Sequence, residues 1–207
     1  MEKELKKVLI TGAAGFIGSS LAERLLSTGN YKVIMVDNLL TGDLRRLPKI
    51  KTPNWRFIKA DCNNFEDISS VMLAYKFDYV FHYAAVVGVQ RTIENPVMVL
   101  DDIQGIRNVL NLCKNTGVKR IFYASSSEVY GEPFEHPQNE LTTPLNSKLP
   151  YAVVKNIGEC YLRSYKKEFD LDYTIFRFFN TYGTKQSVDF VMSKFLNYAL
   201  KNKDIPL

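Results

Sequence analysis

Three glycines set three residues apart, Gly12, Gly15 and Gly18, end a short apolar run and open an amphipathic stretch. This junction constrains the fold more than any other feature of the chain. Val8-Leu9-Ile10 has strand character, and residues 16–28 carry helical periodicity. Between them, Thr11-Gly12-Ala13-Ala14-Gly15-Phe16-Ile17-Gly18 leaves space only for a tight strand-to-helix turn. Glycine permits the turn, lets a pyrophosphate approach the backbone, and at Gly18 lets the helix lie close to the sheet. The helix N-terminus presents free N–H groups and the positive end of its dipole. Glycines alone would also fit a turn without a ligand. The N-terminal position and the flanking elements favour the phosphate cradle.

The rest of the chain repeats the alternation. Strand-like runs at 8–11, 32–36, 56–60, 79–83, 120–124 and 173–178 alternate with helical stretches at 16–28, 65–75, 97–116, 152–169 and 188–201. Nearly continuous apolar strands imply a sheet buried on both faces. The alternation implies an α/β, Rossmann-type, doubly wound parallel sheet with helices on both faces. Loops are expected at 38–43 and 131–150, the second long enough to suggest a functional loop. With 207 residues, 46% of them hydrophobic, the chain can bury one full core and begin a second unit. Residues 1–178 are expected to form the first domain, and 179–207 the start of a smaller lobe.

The net charge is +5 with a pI near 9.0. The Lys and Arg are spread along the chain without a basic helix or zinc spacing, so no nucleic-acid partner is expected. Cys62, Cys113 and Cys160 are odd in number and far apart, which fits buried thiols in a reducing compartment and no metal site. No signal peptide and no apolar stretch of about 20 residues is present, so the expectation is a cytoplasmic protein that does not span a membrane.

Asp37 lies at the end of the second strand, nineteen residues beyond Gly18. A carboxylate there accepts hydrogen bonds from an adenosine ribose and repels a 2′-phosphate, which favours NAD over NADP. Tyr151 and Lys155 stand at i and i+4, on one helix face. A lysine ammonium and a cationic nicotinamide would both favour the phenolate, letting Tyr151 accept a proton from a substrate hydroxyl. With 12 tyrosines and lysine at about one residue in ten, about one chance Y-x-x-x-K is expected. The motif gains weight from Ser125-Ser126-Ser127-Glu128-Val129-Tyr130-Gly131, which follows a strand's carboxyl end, where ligands sit in such folds. Ser126 is the candidate to hydrogen-bond the substrate oxygen beside Tyr151.

Taken together, TGAAGFIG, VDN at 36–38, AD at 60–61, HYAA at 82–85, SSSEVYG, YAVVK and FFNTYG at 178–183 resemble the extended short-chain dehydrogenase/reductases, the NAD-dependent epimerase/dehydratase family. The pieces run in the family's order from residue 8 to 183. The resemblance implies NAD as cofactor and a nucleotide-sugar substrate, with a UDP-linked sugar expected. It implies Gly12, Gly15 and Gly18, with Phe16 and Ile17, for the pyrophosphate, and Asp37 and Asn38 for the adenosine ribose. Asp61 and Cys62 would flank the adenine, and Tyr83, Ala84 and Ala85 would line the cofactor groove. Ser126, Tyr151 and Lys155 would be the catalytic set, and Asn180 would meet the substrate diphosphate. Ser127 and Arg91 are further substrate candidates, Arg91 with the alternative of a solvated loop cation. A homodimer is expected through the helices at 97–116 and 152–168, on apolar residues such as Val109, Leu110, Leu112, Ile157, Tyr161 and Leu162.

Two departures stand out. Asp102-Ile103-Gln104-Gly105 replaces the family's Asn in N-x-x-G, which puts its water relay to the lysine in question. The chain also ends where the family's substrate lobe would still be forming, so a truncated lobe and weak substrate binding are expected. The common first step would be oxidation at sugar C4, and UDP-sugar 4-epimerisation is favoured. Glu128 keeps a UDP-glucuronate decarboxylase open, or it serves only to place water or sugar. A 4,6-dehydratase is less favoured, because Ser127 stands where those enzymes resemble Asp. A non-catalytic NAD-binding regulatory module is the alternative of a different class.

Overall fold

The computed structural model describes residues 4–87, 89–188 and 190–205, without side chains at 89–91. Six strands, β1 (Lys6–Thr11), β2 (Tyr31–Asp37), β3 (Trp55–Lys59), β4 (Tyr79–His82), β5 (Arg120–Ser126) and β6 (Asp172–Phe178), form one sheet. All neighbouring pairs are parallel, in the order β3-β2-β1-β4-β5-β6. The order reverses between β1 and β4, and this is the switch point where such sheets open a crevice at their carboxyl ends.

Why the strands read as continuous apolar runs is visible in their alternation. Leu9, Ile34, Val80, Ile121 and Tyr123 face one layer, packed with Met72, Val109, Leu110 and Leu162. Val8, Ile10, Val33 and Met35 face the other, packed with Ala22 and Leu26. The helices α1 (Phe16–Ser27), α2 (Phe65–Tyr75), α3 (Val89–Glu94), α4 (Pro96–Leu100), α5 (Asp102–Thr116), α6 (Pro150–Phe169) and α7 (Val191–Leu200) follow their strands. Asn64 caps α2 by accepting the Asp67 amide, with Glu66 and Asp67 in the first turn. Gly117, at positive φ, ends α5, and Pro150 opens α6 at its first turn.

The structure corrects the expected single helix over 97–116. Pro96 starts a short α4, and a tightened turn at Asp101, whose carbonyl accepts the Gln104 amide, separates it from α5. The short α3 was not expected at all. The face of α5 and α6 named for dimerisation is largely turned inward: Val109, Leu110, Leu112 and Leu162 are buried in the chain's own core. Ile157 and Tyr161 remain half-buried.

Past β1, the second face of the sheet has an aromatic character. Phe81 stacks on Phe122 at 4.3 Å between ring centroids, Phe122 on Phe176 at 6.1 Å, and Phe176 meets Phe178 at 5.6 Å. All four rings belong to half-buried residues. The helix α7 has no buried residue and exposes Val191, Met192, Leu196 and Leu200. Among the described residues, no helix is long and apolar enough to cross a membrane.

Candidate active site

The glycine turn is shaped by close backbone approach. Gly12 has φ +66°, and a Cβ there would lie 2.7 Å from the Ala84 amide nitrogen. A Cβ at Gly18 would lie 2.5 Å from the Gly12 carbonyl oxygen, so this glycine admits the turn itself under α1. Gly15 is the N-cap of α1 and offers no side-chain cap. The first-turn N–H groups are thus left for an external acceptor. Thr11, unflagged by the sequence, closes the cradle from below. Its Oγ1 accepts the Tyr83 and Ala84 amides at 3.1 and 3.2 Å and lies 2.9 Å from His82 Nδ1.

Asp37 ends β2 under the loop that follows. Its Oδ2 accepts the Ala14 amide at 2.9 Å and its Oδ1 the Leu39 amide at 2.8 Å. Burial raises its pKa, and the two amides and Arg46 oppose that. Asn38 donates to Asp61 Oδ2 at 3.0 Å, joining the ends of β2 and β3. Cys62 lies in the turn between β3 and α2 with its thiol buried, pushed up to about 12 by burial first and by the Asp61 charge next. Its carbonyl accepts from Asn108 Nδ2 at 2.9 Å. Tyr83 lines an apolar groove of about 330 Å³ with Phe16, Ile17, Leu21 and Phe178.

Ser126 ends β5, and Ser127–Tyr130 form a single 3₁₀ turn in which the Glu128 amide donates to Ser126 Oγ at 3.2 Å. Glu128 is exposed and Ser127 half-buried. Across from them, α6 carries Tyr151 and Lys155. The Ser126 hydroxyl lies beside the Tyr151 phenol and favours its ionised form. Lys155 Nζ sits 5.7 Å from the Tyr151 ring centre and 5.1 Å from that of Tyr123. The expectation that lysine lowers the phenol's pKa is not met by the protein alone. Burial pushes Tyr151 up to about 12, Ser126 opposes, and the charges of Asp102 and Glu128 add to the rise. Burial lowers Lys155 itself to about 8, with Asp102 pulling it back up. The lysine is too deeply buried to act as an undiminished cation.

Asp102, the residue that departs from the N-x-x-G pattern, accepts the Val86 amide at 2.7 Å; burial raises its pKa, and the Val86 amide and the Lys155 charge oppose that. It ties the start of α5 to the segment after β4. Asn180 lies exposed beyond β6. The Arg91 side chain lies outside the described residues. The structure therefore gathers the candidates from all six strand ends and α6 along one edge, centred on the switch point. Sequence reading missed Thr11 and Tyr123, which carry no spacing signal and act only through strands that meet in space.

Comparison with known proteins agrees with this geometry. The chain is 35% identical over 201 residues to a putative UDP-glucose 4-epimerase of Methanocaldococcus jannaschii, covering 95% of this chain and 64% of the relative. It is 34% identical to a UDP-glucuronate 4-epimerase of Thermodesulfobacterium geofontis, covering 96% and 63%. Proteins named as UDP-glucuronic acid decarboxylases and UDP-glucose 4,6-dehydratases also match. A crystal structure of Thermus thermophilus UDP-glucose 4-epimerase with NAD superposes with a TM-score of 0.88 at 33% identity, over 96% of this chain and 64% of that one. The chain thus spans less than two thirds of the length of these relatives. The model of the NAD dependent epimerase/dehydratase family matches residues 8–207, and the chain belongs to that family.

Proposed function

We propose that the protein acts on a nucleotide-bound sugar through transient oxidation at C4, as an NAD-using UDP-sugar 4-epimerase. One observation carries this reading: Ser126, at the end of β5, stands beside Tyr151 of α6, with Lys155 one helical turn on, close to the switch point and its glycine turn. In this reading Gly12, Gly15 and Gly18, with the amides of Phe16 and Ile17, hold the pyrophosphate. Asp37 and Asn38 hold the ribose; the Asp37 oxygens each keep a second lone pair beside their bonds to Ala14 and Leu39. Asp61 and the Cys62 backbone flank the adenine, and Tyr83, Ala84 and Ala85 line the groove. NAD, when bound, supplies the hydride acceptor and a positive charge beside the phenol. Tyr151 takes the proton of the sugar hydroxyl, Ser126 holds that oxygen, and Lys155 orients the phenol, while the charge that NAD brings favours its ionised form. Ser127 and Asn180 meet the substrate in this reading, and Arg91 remains a candidate from the sequence.

The exposed Glu128, whose charge is felt at Tyr151, favours a second reading, the decarboxylation of a UDP-glucuronate. Residues 179–207 begin the substrate lobe in our reading; the exposed apolar side chains of α7 support this, since they await a packing partner. We assign the protein to the cytoplasm on its three unpaired cysteines. We also propose a homodimer through α5 and α6, resting now on Val153, Ile157 and Tyr161, with sedimentation as its test.

Incubation with NAD and UDP-glucose, UDP-N-acetylglucosamine, UDP-glucuronate or dTDP-glucose tests the reaction by NMR and mass spectrometry. Inversion at C4 with unchanged mass supports the epimerase. Loss of carbon dioxide supports the second reading. Failure to bind NAD would overturn both.

A further inference from the structure

The helix α6 carries Tyr151, Lys155 and Glu159 at successive i+4 positions. Glu159 is wholly buried, and no step described above uses it. Both its oxygens are engaged. Oε1 accepts from Ser125 Oγ at 2.6 Å and from Arg177 Nε at 2.9 Å. Oε2 accepts from Arg177 Nη2 at 2.7 Å and from Arg163 Nη1 at 3.2 Å. Arg177, on β6, reaches further. Its Nη1 donates to the Tyr130 hydroxyl at 2.9 Å and to the Glu140 carbonyl at 3.0 Å, and its guanidinium lies 4.9 Å from the Tyr130 ring centre. Ser125 and Tyr130 bracket the turn that holds Ser126 and Glu128. One ion pair therefore grips both ends of that turn, the helix opposite, and the long loop at Glu140.

We propose that Glu159 and Arg177 are a positioning pair, which sets the turn bearing Ser126 and Glu128 against the helix bearing Tyr151 and Lys155. The inference rests on the reading of Tyr151 and Ser126 as the proton-handling pair. A planar guanidinium gripping a carboxylate through two parallel bonds fixes orientation as well as distance. A buried ion pair adds little net stability over an apolar pair of the same size, so stability alone does not account for this one. Geometry does: the network spans four chain segments that no single backbone hydrogen-bond ladder connects.

Charge and geometry predict opposite signs for one variant. Glu159→Gln keeps the shape and removes a negative charge. By charge alone, the Tyr151 phenolate gains and its pKa falls. By geometry, the turn loosens, the Ser126 hydroxyl leaves the phenolate, and the pKa rises. The experiment is an ultraviolet tyrosinate titration with saturating NAD, taken as the difference from Tyr151→Phe in each background. The expected result is a rise of about one pH unit in Glu159→Gln and in Arg177→Lys, with NAD affinity changed less than about tenfold. An unchanged or lowered pKa in folded, NAD-bound Glu159→Gln overturns the positioning role. Should the single variants fail to fold, the double variant Glu159→Met/Arg177→Met, which leaves no buried charge, carries the same comparison and the same two outcomes. Absence of NAD binding in the unaltered protein would instead overturn the functional reading itself, and this inference with it.

Discussion

The Asp37 carboxylate accepts the Ala14 amide at 2.9 Å, so the end of β2 braces the glycine turn that follows β1. The same carboxylate accepts the Leu39 amide and thereby folds its own loop back. Asp37→Ala leaves both amides without this partner in a largely buried place. Stability is expected to fall by about 1–3 kcal/mol. Urea unfolding measures this, and NAD titration is expected to show weaker binding in parallel. Full stability in Asp37→Ala would mean that solvent replaces the carboxylate.

Gly158 and Tyr123 are in unusually close contact: a Cβ on Gly158 would lie 2.2 Å from the Tyr123 hydroxyl oxygen. Among the described residues, that buried hydroxyl has no hydrogen-bond partner. Tyr123→Phe removes an unsatisfied polar group, so a gain of about 1 kcal/mol is expected. Gly158→Ala forces the ring or the helix to move and is expected to cost about 1–3 kcal/mol. Combining the two changes should recover part of that loss, which a thermal melt of the four proteins would show. Additive effects would rule out contact between these positions as the cause.

Stability should fall on mild acidification. Burial first, and the Lys155 charge next, lower the His82 imidazole from 6.5 to about 3. The unfolded chain then binds this proton first, so the stabilisation is complete above pH 6.5 and is lost as pH falls toward 3. Above about pH 5 ordinary carboxylates stay ionised, so the upper part of the slope belongs to histidine. Lys155, lowered from 10.5 to about 8, adds a rise in stability with pH through that interval. Denaturant unfolding at a series of pH values should show the first slope in the unaltered protein and a flatter one in His82→Gln. The same slope in both would remove His82 as its source.

Hydrogen exchange should separate α7 from the rest. It has no buried residue, while α5 buries Ile106, Val109, Leu110, Leu112 and Cys113. Local opening of α7 therefore exposes little new apolar surface and should occur far more often. Amides of 191–200 are expected to exchange before those of 102–116. Equal protection would show that α7 has a partner in solution, as a second polypeptide or copy would provide.

Much of this protein is local, and so was legible. The glycine spacing, the strand–helix alternation, Asp37 at a strand end, and Tyr151 with Lys155 at i and i+4 each follow from nearby residues obeying a fixed period. The α4–α5 break escaped because helical periodicity runs across Asp101 almost unaltered, and only the hydrogen bonds register it. The sequence by itself determined the doubly wound sheet and where its ligand edge would be. Tertiary structure decided what surrounds the chemistry. Thr11, Tyr123, Glu159 and Arg177 come from distant segments and act by burial and by contacts across strands. The Tyr151 phenol is held high, and Lys155 low, because packing withdraws both groups from water, and desolvation is a property of the packed neighbourhood that no spacing along the chain encodes.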